Sequence, residues 1–175
     1  MFKTRSFLFA ALCVALGIVL PMAFHWIPQG GIIFSPMHIP VLLAGLLTGP
    51  MLGLITGLIT PILSSLITGM PPTFILPGMT VELAVYGFAA GLFMQIFSRQ
   101  HLVPRVYASL LLAMLIGRIA GGIFQGIFFG LPIQAWVSMY FVTTLPGIIT
   151  HIISVPLVYF ALYKAGLTTE PTRTS

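Results

Sequence analysis

The chain has 175 residues, 58% of them hydrophobic and 5% charged, with a mean hydropathy of +1.12 and a formal net charge of +5. A soluble domain carries about a quarter charged residues because its surface faces water, so seven Lys/Arg and two Asp/Glu exclude a soluble domain of this size. What remains is a chain whose solvent is lipid, and the one cysteine, Cys13, excludes both a disulfide framework and a thiolate metal cluster.

Lys3 and Arg5 precede an apolar run that reads as a first span from about Phe7 to Phe24. The run is longer than a signal-peptide core and more spans follow. A lipoprotein cleavage site at Cys13 would want a small residue before it, where Leu12 stands, so a retained helix is expected. The stretch His25–Pro36 holds two Pro and two Gly and reads as a loop. Met37–Leu47 and Met51–Thr68 follow as spans two and three, divided by Gly49-Pro50. Span two is short for a crossing, which implies strong tilt or extension back into the preceding loop. A loop with three Pro, Gly69–Gly78, leads to span four, about Met79 to Phe97. After the polar turn Ser98–Pro104 comes span five, about Arg105 to Phe129; after Gly130-Leu131-Pro132 comes span six, about Ala135 to Tyr163. The expectation is one all-α membrane domain over residues 1–175, with six transmembrane helices, a helical core at 6–164 and a polar tail at 165–175.

Basic residues set the expected orientation, because cytoplasmic loops collect Lys and Arg. With six spans and the N-terminus inside, Lys3, Arg5, Arg99, Arg105, Lys164 and Arg173 all fall on the inner side, whereas the outer loops hold no Lys or Arg. Both termini are therefore expected to be cytoplasmic, in a multi-pass protein of the cell membrane. The basic residues lie at span ends and form no basic face, so no nucleic-acid partner is expected.

Two charges lie inside the hydrophobic zone. Arg118 sits about 20 Å along its helix from Arg105, and Glu82 about 24 Å from Ser98, at the ~1.5 Å rise of an α-helix. Both thus fall in the outer half of the bilayer at similar depth. A charge there costs at least about 2.5–3.5 kcal/mol on insertion scales, so it should face the interior and find a partner. Two readings stay open: a structural Glu82–Arg118 pair, and a pair of solute-binding groups. Helical spacing favours the second. Arg118, Gly121, Gly122 and Gln125 share one face of span five, and Glu82 and Tyr86 are four apart on span four. Tyr140, Thr143, Thr144 and Gly147 share a face of span six, with His151 a turn deeper. These faces would line a pocket opening outward beneath the Pro-rich loops. His38 stands at the end of the first such loop, where a hydrogen-bonding role is the simpler reading. Trp26 and Trp136 read as interfacial anchors.

Glycines recur four apart at 45, 49, 53 and 57, at 87 and 91, at 117 and 121, and at 122, 126 and 130. This spacing puts them on one helix face, where close backbone approach is expected. Ala11 and Ala15 form a similar pair on span one, open to internal packing or to docking of another membrane protein. Enzymatic chemistry has little to stand on. The chain has no Asp, four scattered His and no paired carboxylates, no His-Glu-x-x-His helix and no Gly-x-x-x-x-Gly-Lys phosphate loop. No enzyme activity, cofactor or metal is expected.

Three blocks, FSPMHIPVLLAGLLTGP (Phe34–Pro50), PILSSLITGMPP (Pro61–Pro72) and VELAVYGFAAGL (Val81–Leu92), resemble the substrate-binding (S) component of energy-coupling factor (ECF) transporters. Ala11-Leu-Cys-Val-Ala15 resembles that family's alanine motif, which meets the transmembrane coupling subunit. The resemblance implies a six-helix vitamin-binding protein with its site near the outer surface. It also implies a complex with a transmembrane coupling subunit and two ATPase subunits, and transport by tilting of the S component. The Met-His-Ile-Pro and Glu-Leu-Ala-x-Tyr-Gly blocks look closest to the pantothenate-type group, so pantothenate is the expected solute. Vitamin B6 (pyridoxine) and cobalamin are the alternatives within the family. Arg118 would meet the carboxylate, with Gln125, Tyr140 and Thr143 bonding amide and hydroxyls, and with Glu82, Tyr86, Thr144 and His38 completing the site. An autonomous small-solute carrier and a membrane assembly factor are the readings outside it.

Overall fold

A computed structural model describes residues 4–24 and 30–168, and every regular element among them is helical. In chain order these are α1 (Thr4–Ala23), α2 (Gly30–Phe34), α3 (His38–Thr48), α4 (Pro50–Thr68), α5 (Leu76–Ile96) and α6 (Leu102–Phe129). They are followed by α7 (Ile133–Val137), a π-helical turn (Ser138–Thr143) and α8 (Leu145–Lys164). Lys3, His25, Trp26 and Arg173, and the expectations placed on them, lie outside the described residues.

Glycine and proline set the helix ends. Gly69 and Gly130 close α4 and α6 in the left-handed conformation (φ +73° and +64°), which costs a glycine little. Gly49, at φ +91°, makes the reversal from α3 to α4, and Pro50 starts the new helix where its missing N–H is not needed.

Five helices, α1, α4, α5, α6 and α8, are long and apolar enough to cross a membrane. The segment expected over Met37–Leu47 is realised as α3, 11 residues long, preceded by the single turn of α2. At ~1.5 Å per residue α3 spans about half of the ~30 Å hydrocarbon layer. It is nonetheless the most enclosed helix, with nine of its residues buried, because α1, α4, α5, α6 and α8 all pack on it.

The glycine stripes explain how α3, α4 and α5 come so close. A methyl group at Gly45 or Gly53 would strike the Gly87 carbonyl, one at Gly57 the Leu83 carbonyl, and one at Gly91 the Gly49–Pro50 backbone. Without water-driven attraction between helices in lipid, such backbone contact is a main source of packing energy. On α6 the glycines receive side chains instead: Gly117 the Tyr86 ring, Gly121 the Glu82 and Tyr140 side chains, and Gly122 the Trp136 ring. Trp136 is thus half-buried against α6.

The basic residues gather at one end of the bundle. Arg5 Nη2 donates to the Gly166 carbonyl at 3.0 Å, so the start of α1 meets the end of α8. Arg105 Nε donates to the Met94 carbonyl at 2.8 Å, satisfying an acceptor in the last turn of α5. Arg99 and Lys164 are exposed at the same end. The opposite end holds a cavity.

Candidate functional site

A cavity of about 210 Å³ lies between the ends of α1, α3 and α4, the first turns of α5, the second half of α6 and the π-helical turn. Its polar lining consists of Ser35, His38, Glu82, Arg118, Tyr140 and Thr144. Four prolines also line it: Pro21 from α1, Pro36 before α3, and Pro71 and Pro72 after α4. The segment bearing the last two is tied down from below. Ser64 Oγ donates to the Met70 carbonyl at 2.7 Å and Ser65 Oγ to the Pro71 carbonyl at 2.9 Å.

Arg118 is buried at 3% exposure and is held by one strong bond. Its Nη1 donates to Thr144 Oγ1 at 2.6 Å, and Thr144 Oγ1 in turn donates to the Tyr140 carbonyl at 2.7 Å. The threonine proton is committed to that carbonyl, so a lone pair of Oγ1 is left to receive the guanidinium. The Phe141 ring lies 5.9 Å from Arg118 Cζ and adds a cation–π contact. Arg118 Nε, though buried, has no hydrogen-bond partner in the protein. A guanidinium with one arm anchored and other donors unmet is suited to an anionic or acceptor group that enters the cavity.

Glu82 and Arg118 share the cavity but are not in direct ion-pair contact. The side chain facing Glu82 is instead His38, with Nε2 at 3.7 Å from Oε1. His38 starts α3, and its other nitrogen, Nδ1, stands 3.1 Å from the Ser35 carbonyl. His151 Nε2, from α8, is also 3.1 Å from that carbonyl, and the two imidazoles stack at 5.6 Å. Ser35 itself has φ +46°, a left-handed conformation uncommon for a residue with a side chain. This turn aims the Ser35 carbonyl at both rings.

Of the residues expected from sequence, His38, Glu82, Arg118, Tyr140 and Thr144 come together around the cavity. Tyr86 does not line it. The Tyr86 ring is fully buried one turn below Glu82, edge-on to His38 at 5.3 Å, and supports the wall from behind. Gln125 also lies off the cavity, buried with its amide filling the space above Gly78. Thr143 is exposed on the far side of its helix. The reason is the π-helical turn. Its i→i+5 bonding advances each residue by a smaller angle than an α-helix, so Thr144 returns to the Tyr140 face and Thr143 does not. Ala11 and Ala15 are exposed on the outer face of α1, beside Leu8, Leu12 and Val19, whereas Ser6, Ala10, Cys13 and Gly17 face the bundle.

The lining residues not anticipated include four methionines, Met37, Met70, Met79 and Met139. Methionine in an apolar run reads as core, and only its flexible thioether hints at an adaptable wall. Ser35 and His151 also escaped the site assignment, since their role depends on a backbone turn.

A helical bundle with several membrane-length apolar helices, and with a buried cation and a carboxylate facing one small cavity, defines a multi-pass membrane protein with a solute-sized site at one end. The chain belongs to the ECF transporter substrate-specific component family, whose model matches residues 5–159. A search of curated proteins finds no match. Family membership makes the chain a transport subunit, with a small-molecule substrate and with ECF membrane and ATPase subunits as partners.

Proposed function

We propose that this S component binds pantothenate and delivers it to an ECF module in the cytoplasmic membrane. The observation that carries the reading is Arg118: a buried guanidinium on the cavity wall, anchored on Thr144 through one nitrogen and with its Nε unpartnered. A carboxylate is the complementary group, and the Glu82 carboxylate in the same cavity accepts from a hydroxyl or amide N–H of the same solute. Tyr140 and Thr144 add polar contacts, and the methionines and prolines take up the apolar parts. Tyr86 and Gln125 then act as supports for the wall, and Thr143 has no part in binding.

Cavity size sorts the alternatives. At about 210 Å³ it falls below the ~300–1,000 Å³ typical of drug-sized ligands. That suits a compact metabolite and disfavours cobalamin. Pyridoxine keeps one specific point in its favour: its hydroxyls can donate to Glu82.

The proposed architecture is one domain with six crossings, α2 and α3 together making the second, and with both ends cytoplasmic. It rests on the gathering of Arg5, Arg99, Arg105 and Lys164 at the end away from the cavity. Ala11 and Ala15 are proposed to meet the transmembrane coupling subunit, since their face of α1 is exposed and small. A vitamin panel in a thermal-shift assay on the purified protein tests the solute. Pantothenate alone should raise the transition markedly; a response to pyridoxine and not to pantothenate would replace the solute, and accumulation by the chain alone in liposomes would replace the transport class.

A further inference from the structure

The hydrogen bonds at Ser35 fix where two histidines carry their protons. A carbonyl oxygen accepts and never donates. Because His38 Nδ1 and His151 Nε2 each stand 3.1 Å from the Ser35 carbonyl, each of these nitrogens must bear the proton it directs there. A neutral His38 then has a bare lone pair on Nε2. That nitrogen is 3.7 Å from Glu82 Oε1, with both side chains buried. A bare imidazole nitrogen and a carboxylate oxygen would face each other as two acceptors in a low-dielectric site, which is unfavourable.

The contact becomes favourable when one proton is shared by the pair, as imidazolium with carboxylate or as imidazole with carboxylic acid. The pair has zero net charge in either form. The other groups around it do not change the sum. His151 bears its proton on Nε2, and its Nδ1 has no partner to receive a second. Tyr86 on α5 and Tyr140 in the π-helical turn are phenols, uncharged near neutral pH. The helix α4 has no titratable side chain, and α1 brings only Cys13 and, at the far end, Arg5. Among the described residues, Arg118 on α6 therefore leaves the cavity with one uncompensated positive charge.

Resting on the solute-binding reading above, we infer that the solute is a monoanion and that it binds together with one proton held between His38 and Glu82. Loss of that proton makes the pair negative and cancels the charge of Arg118. Affinity for the anion then falls by up to about tenfold per pH unit, the limit for one linked proton. Pyridoxine, uncharged overall, would not show this dependence.

The test is isothermal titration of pantothenate into the purified protein from about pH 5.5 to about pH 9, where a carboxylate of ordinary pKa stays ionised. Wild-type affinity should weaken as pH rises. Its binding heat should vary with the ionisation enthalpy of the buffer, in the sense of proton uptake. Glu82→Gln supplies a permanent N–H donor to His38 Nε2, so its affinity should be flat with pH and its proton uptake lost. A flat wild-type profile without proton uptake overturns the linkage. A Glu82→Gln profile as steep as wild type removes the proton from this pair. No binding of pantothenate at any pH overturns the solute reading on which the inference rests.

Discussion

Arg118 and Thr144 join the middle of α6 to the start of α8 through a 2.6 Å charge-assisted hydrogen bond. The bond does two things at once. It gives a buried cation a fixed partner, and it holds the guanidinium in one orientation at the cavity wall. Thr144 reaches this position because the π-helical turn before it resets the register of the last helix.

Thr144→Val keeps the shape of the side chain and deletes the acceptor. Hydrogen bonds to charged groups contribute about 1.5–3 kcal/mol, and about 1.4 kcal/mol is tenfold in affinity. Pantothenate binding by titration calorimetry should weaken about tenfold or more, while Thr144→Ser should stay close to wild type. Equal affinity in Thr144→Val would mean that Arg118 needs no orienting partner.

The Pro71–Pro72 wall depends on two serines beneath it. Each neutral hydrogen bond contributes about 0.5–1.5 kcal/mol net. The double variant Ser64→Ala with Ser65→Ala loses about 1–3 kcal/mol and should release the solute roughly five- to a hundredfold faster in a stopped-flow displacement experiment, with little change in association rate. An unchanged off-rate would show that these bonds do not restrain the wall.

The glycine seam makes a stability prediction far from the solute. Gly53→Ala and Gly87→Ala place a methyl group against backbone on the facing helix, where overpacking costs about 1–3 kcal/mol. Their melting temperatures in detergent should fall by several degrees. Gly126→Ala is the control, since a methyl group there meets nothing closer than 3.7 Å, and its melting temperature should not fall.

The outer face of α1 predicts a separation of functions. Ala11→Trp with Ala15→Trp adds bulk on an exposed face and disturbs no internal contact. Solute binding by the purified subunit should be unchanged. Co-purification with the coupling subunit and uptake by the assembled transporter should be lost. Normal assembly of this variant would assign the docking surface elsewhere.

How much of this could be read from the sequence depended on whether the signal was local or spatial. Glu82 and Arg118 stood out because a charge in lipid is costly, and helical rise alone placed both at one depth. The glycine spacing likewise declared close packing before any partner was known. Thr143 was assigned to the wrong face because an α-helical register was carried through a π-helical turn, which no composition rule marks. Ser35 was invisible for a related reason, since its function lies in a carbonyl aimed by a positive φ. His38, read as a hydrogen-bonding loop-end residue and as part of the site, does bond Ser35, and its second nitrogen faces Glu82 on α5, a neighbour that only the fold supplies. Trp136 fitted the rule for interfacial aromatics, yet Gly122 leaves a slot on α6 that receives its ring.

The central claim is that a small acid is held by Arg118 inside this cavity. Equilibrium binding of labelled pantothenate to the purified wild-type protein and to Arg118→Ala measures it directly. Wild type should bind saturably with one site, and Arg118→Ala should lose at least about a hundredfold in affinity, about 2.8 kcal/mol or more, while remaining folded by thermal unfolding. Saturable binding of equal strength by a folded Arg118→Ala would contradict the account.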